Sequence, residues 1–67
     1  MTPAEFRKQV KHRLIELDMT QTELIRRVKE KTGLYLDSSY MSKIFTGRSA
    51  PPKIIGAIQE ILELPEE

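Results

Sequence analysis

The chain has 67 residues, enough for one hydrophobic core and too few for a second, and stability at this size is marginal. It contains no cysteine and no His/Asp/Glu cluster at ligand spacing, so neither disulfides nor a structural metal are expected to supplement that core. The net charge of +1 hides a basic body: eight basic and four acidic residues lie between Arg7 and Lys31, and Lys43, Arg48 and Lys53 lie in a stretch without acids. After Lys53 the only charged residues are Glu60, Glu63, Glu66 and Glu67.

The first helix is predicted to open at Thr2-Pro3-Ala4-Glu5. Thr2 is its cap, Pro3 suits the first helical position, and Glu5 reaches back to complete a capping box. Phe6, Val10, Leu14 and Leu17 recur at helical spacing, with Ile15 widening the apolar face, to about Asp18. Arg7, Lys8 and Lys11 take the opposite side.

A short turn at Asp18-Met19 implies that the first two helices pack side by side. Thr20 caps the second helix, Glu23 is the box partner, and Met19 and Leu24 form the flanking hydrophobic staple. Leu24, Ile25 and Val28 make its apolar stripe, and Gly33 is a left-handed terminator. Leu34-Tyr35-Leu36 reads as a brief apolar connector.

Asp37 caps the third helix, with Ser38, Ser39 and Tyr40 in its first turn and Met41, Ile44 and Phe45 facing inward. Thr46-Gly47 stops it, because glycine relieves left-handed strain. Ser49-Ala50-Pro51-Pro52 leads into a fourth helix whose broad apolar face comprises Ile54, Ile55, Ala57, Ile58, Ile61 and Leu62, ending at Pro65. The fold class is therefore all-α, a small bundle of four helices, or five with an extra short turn. The third helix carries small hydroxyls and a lysine outside, a combination suited to a DNA groove.

These segments resemble a known family. Met19-Thr20-Gln21-Thr22-Glu23-Leu24 is similar to the opening of the second helix in lambda-repressor-like (Cro/C1, XRE-type) helix-turn-helix domains. Leu36 through Arg48 resembles the family's third-helix segment, with Lys43 at its basic position and Gly47 at its glycine; Pro51 and Pro52 fall where it often has proline. Two departures stand out. Lys29 to Tyr35 inserts about six residues between the second and third helices, giving a longer helix or a wider loop. Tyr40 and Phe45 replace small or acidic residues.

The resemblance implies that the third helix lies in the major groove of double-stranded DNA. Ser38, Ser39, Ser42, Lys43 and Tyr40 would then read bases, Lys43 through the guanine acceptors O6 and N7. It further implies that Gln21, Thr46, Arg48 and Lys53 contact phosphates, with Arg26, Arg27, Lys29 and Lys31 as outlying candidates. The plainer alternative for each is a solvated surface. His12 pairs with Glu16 one turn on, but no nucleophile or phosphate loop accompanies it, so no enzyme is expected.

The expected function is a phage-like or prokaryotic transcriptional repressor acting without cofactor, metal or small-molecule substrate. One domain reaches few base pairs, so a homodimer on an inverted repeat is expected, with centres about 34 Å apart. Its contact would fall on the fourth helix if Ile55, Ile58 and Leu62 exceed what the core needs. No membrane-length apolar run and no signal-peptide core occur, so a cytoplasmic, nucleoid-associated protein is expected. Two other readings stand beside this one. The acidic tail and apolar fourth helix suit a protein-interaction adaptor such as an antitoxin-like module; an excisionase-like binder would bend DNA with weak base preference.

Overall fold

Residues 2–64 are described by the computed structural model. They contain four α-helices and no strand: α1 (Pro3–Glu16), α2 (Gln21–Thr32), α3 (Ser38–Phe45) and α4 (Pro52–Leu62).

The helix starts follow local chemistry. The Glu5 amide donates to Thr2 Oγ1 at 3.2 Å and the Thr2 amide donates to Glu5 Oε1 at 2.8 Å, the reciprocal box expected at α1. Thr20 Oγ1 accepts from the Glu23 amide at 3.1 Å, but the return arm is missing. Glu23 instead accepts from Arg27 Nε at 2.9 Å and from the Arg26 guanidinium. Two guanidiniums within one turn outcompete a single neutral amide, since charge-assisted bonds are the stronger. Asp37 caps α3 as expected, its Oδ1 accepting from the Tyr40 amide at 2.8 Å.

The ends share one device, a left-handed residue beyond the helix. After α3, Gly47 (φ 83°) lets its own amide reach the Ile44 carbonyl at 3.2 Å and the Arg48 amide reach the Lys43 carbonyl at 2.9 Å. Asp18 does the same after α1 with φ 54°, so that helix stops at Glu16 rather than running to Asp18. Glu63, also at φ 54°, ends α4 at Leu62; the expected stop at Pro65 lies outside the described residues. Gly33 terminates α2 at φ 70°. Four residues of the expected insertion, Lys29 to Thr32, thus extend α2, and residues 33–37 make a short connector.

The core gathers Phe6, Val10 and Leu14 from α1, Leu24 and Val28 from α2, and Met41, Ile44 and Phe45 from α3; α4 adds Ile54, Ala57, Ile58 and Leu62. Two expected members are outside it. Ile15 is 78% exposed because it lies about 100° around the helix from Leu14. Leu17 is 40% exposed because the chain has already left the helix there. Two residues join the core from outside the helices. Leu36, in the connector, is 1% exposed, and Leu64 is tucked in by the left-handed turn at Glu63.

α2 packs most extensively on α4, while α1 packs on α3 and α4. The side-by-side pairing expected of α1 and α2 is therefore not one of the extensive ones. The left-handed turn at Asp18 redirects the chain, and α4 offers the wider apolar face. That same packing answers the question about α4: Ile58 and Leu62 are fully buried inside the domain and cannot form a dimer seam, whereas Ile55 and Ile61 are half-buried.

Arg13 fastens α1 to the end of α4, its Nε donating to the Leu62 carbonyl at 2.7 Å. Carbonyls in the last turn of a helix lack intrahelical partners, and a guanidinium also complements the dipole there. Arg13→Ala should destabilise the domain by about 1.5 kcal/mol, measured by urea unfolding. Arg13→Lys should recover part of that loss.

Candidate nucleic-acid interface

α3 buries Met41, Ile44 and Phe45, so the residues opposite must face outward. Ser39, Ser42 and Lys43 are spaced three and four residues apart on one face, and all three are exposed, as is Ser38 at the first helical position. Tyr40, beside them, is half-buried and packs on the core.

Concavities flank α3 on both sides. One, of about 320 Å³, is lined by Arg7 and Lys11 of α1, Gln21 of α2, and Ser42, Phe45 and Thr46. The other, of about 450 Å³, is lined by Tyr35, Asp37, Ser39, Tyr40, Lys43, Arg48 and Ser49. The expected site residues are thus divided by α3: Gln21, Ser42 and Thr46 on one side, Ser39, Lys43 and Arg48 on the other. Lys53 joins neither. It lines a third concavity with Lys31, Thr32 and Glu60, between α2 and α4.

Local structure positions these groups. Arg48 follows Gly47, and its amide bond to the Lys43 carbonyl sets where its side chain departs. Thr46 Oγ1 donates to the same carbonyl at 3.2 Å, which leaves the hydroxyl oxygen free to accept. Gln21 is the first helical residue after the Thr20 cap and is half-buried.

Among the described residues, Arg7, Lys11, Lys43 and Arg48 have no carboxylate within salt-bridge distance. Four other cations are paired: Arg13 with Glu16 at 3.4 Å, Arg26 with Glu30 at 3.0 Å and with Glu23, Arg27 with Glu23 at 2.9 Å, and Lys31 with Glu60 at 2.9 Å; among the described residues, Lys8, Lys29 and Lys53 share the unpaired state of the cations beside α3. Three of the four outlying phosphate candidates, Arg26, Arg27 and Lys31, are thereby engaged within the chain. Arg7 and Lys11 were not among the expected site residues, although a signal was present. They stand one turn apart with no acid three or four residues away on either side.

Asp37 is the carboxylate that lines the concavity of Lys43 and Arg48. The Tyr35 hydroxyl donates to Oδ2, and that bond, followed by the Tyr40 amide on Oδ1, holds the carboxyl below its ordinary value of 3.8. The same bond raises the Tyr35 hydroxyl above the usual tyrosine value. A depressed carboxyl stabilises the fold above its unfolded value, and that contribution is lost as pH falls through the folded one. Asp37→Asn, which keeps a capping oxygen, should therefore be less stable than the parent at pH 7 and indistinguishable from it well below pH 3.8. Urea unfolding at the two pH values checks this.

His12 lines a separate groove with Gln9, Arg13, Glu16, Glu63 and Leu64, away from α3. Within the described residues no helix is long and apolar enough to cross a membrane, and no three His/Cys/Asp/Glu side chains converge on a possible metal site. Comparison with protein families, with curated proteins and with solved structures found no match.

Proposed function

We propose that this chain is a lambda-repressor-like helix-turn-helix domain that binds double-stranded DNA in a sequence-dependent manner, with α3 entering the major groove. The observation that carries the reading is the outer face of α3. It presents Ser38, Ser39, Ser42 and Lys43 to solvent over a firmly buried base of Met41 and Ile44, with the unpaired Arg48 just beyond its end. A short rigid helix with small hydroxyls and a cation outside fits between sugar-phosphate walls. The protein would regulate transcription by occupying an operator as a homodimer, without turnover or cofactor, in the cytoplasm of a prokaryotic or phage-infected cell. Half-exposed Ile55 and Ile61 are the α4 side chains left for a partner.

The adaptor alternative draws on the acidic tail and on the apolar α4 face, of which the domain buries Ile54, Ala57, Ile58 and Leu62 and leaves Ile55 and Ile61 half-buried. Titration of a random duplex at low and moderate salt separates the readings: binding weakened by salt supports DNA recognition, and its absence at both salts overturns it. Strong bending with weak base preference would instead favour the excisionase-like reading.

Roles within the site are separable by substitution. Lys43→Ala should change which duplexes are selected from a random pool. Arg48→Ala should weaken all duplexes alike and flatten the log-log salt slope by about 0.9. Identical behaviour of the two variants would contradict the assigned geometry.

A further inference from the structure

We infer that Arg7 and Lys11 of α1 form a second phosphate-binding rim, across α3 from Arg48, so that the recognition helix is straddled by cations on both sides. The inference rests on the DNA reading above and adds two binding residues to it.

Four observations converge on this rim. Arg7 and Lys11 are exposed, and they are without a carboxylate partner among the described residues. They share a concavity with Gln21, Ser42 and Thr46, three side chains that can hydrogen-bond a phosphate oxygen. No acidic side chain lines that concavity, in contrast to the Lys43 side, where Asp37 is present. Finally, the two cations stand four residues apart, about 6 Å along α1, near the separation of successive phosphates on one strand. Ser42 of α3 and Thr46 just beyond its end, also four residues apart, line the same furrow.

A furrow open on the same side as the reading face would receive the strand that borders the groove holding α3. Phosphate contacts of this kind set register and orientation without reading sequence. Each cation that neutralises a phosphate releases counterions, contributing about 0.9 to the slope of log affinity against log salt.

The test compares binding of a random-sequence 30-base-pair duplex across a salt series for four proteins: the parent, Arg7→Gln/Lys11→Gln, Arg48→Gln, and Lys8→Gln/Lys29→Gln. The last removes the same charge from exposed positions that line neither concavity beside α3. Circular dichroism melts establish that each variant is folded; all changes are at exposed positions. The expected result is a slope about 1.8 smaller for Arg7→Gln/Lys11→Gln, equivalent to about tenfold less sensitivity between 50 and 200 mM salt, with the Lys8/Lys29 control unchanged. A control slope that falls equally would mean diffuse charge rather than a rim, and would overturn the inference. So would a parental slope in Arg7→Gln/Lys11→Gln beside a reduced one in Arg48→Gln, which leaves the DNA reading standing. A parent protein that fails to bind at any salt sinks both. Inorganic phosphate at matched ionic strength should not displace the duplex; displacement would make the furrow a small-anion site and overturn the inference.

Discussion

Gly47→Ala should lower the melting temperature by about 10–20 °C, the largest effect expected of any one-carbon change in this protein. Two independent costs meet at this residue. Its φ of 83° lies in the left-handed region, where an L side chain costs about 1–2 kcal/mol. A Cβ there would also stand 2.9 Å from Pro3 Cγ, so α1 and the end of α3 would have to move apart. Together they amount to about 2–3 kcal/mol, and a domain of this size shifts by about 4–8 °C for each. Total stability for such a chain is on the order of 3–10 kcal/mol, so a large fraction would be lost. Gly33→Ala is the matched control. It shares the left-handed backbone at φ 70°, but nothing lies within 4 Å of its Cβ, so it should lose only the backbone component. Equal melting temperatures for the two variants would show that the Pro3 contact contributes nothing. The Gly47 variant should bind DNA more weakly even below its melting temperature, because Arg48 takes its position from that turn.

Leu36→Ala should destabilise the domain by about 3 kcal/mol, measured by urea unfolding, although the residue belongs to no helix. Leu36 is 1% exposed and is the point at which the connector between α2 and α3 is anchored to the core. Truncating it removes the transfer free energy of three carbons and leaves a cavity that a short connector can only partly close. Leu34→Ala, two residues earlier and 40% exposed, should cost only a few tenths of a kcal/mol. If the two losses were alike, the connector would not be held by Leu36. The consequence for the proposed function is direct, because the start of α3 follows at once through Asp37. A loosened connector should reduce DNA affinity without altering which sequences are preferred.

Both predictions concern places where local pattern and tertiary position act together, and the rest of the molecule divides along the same line. The caps at Thr2, Thr20 and Asp37 and the terminators at Gly33 and Gly47 were legible residue by residue. Each is decided by side chains and backbone within four positions of one another. The inward stripes of α2, α3 and α4 were legible for the same reason, since helical period alone places Leu24 with Val28 and Met41 with Ile44. The exposed Ser39, Ser42 and Lys43 follow as the complement of a buried set.

Helix pairing was another matter. Which helix α2 lies against depends on the direction in which the turn at Asp18 sends the chain, and on the competition among apolar faces for the broadest one, α4. Neither is a property of any short window of residues. The same three-dimensional choice buried Leu64 and carried Lys53 away from α3. It also brought Arg7 and Lys11 beside Gln21 and Thr46, residues 10 to 39 positions away in the chain. What the amino-acid sequence determined by itself was the set of four helices, their limits to within a few residues, and the polar face of α3. Those features depend on bonds and contacts made within a turn or two. The arrangement of the helices, and with it the placing of Arg7 and Lys11 beside α3, required long-range packing. Burial of apolar area is non-directional and roughly proportional to area, so it selects partners only once all the faces compete together.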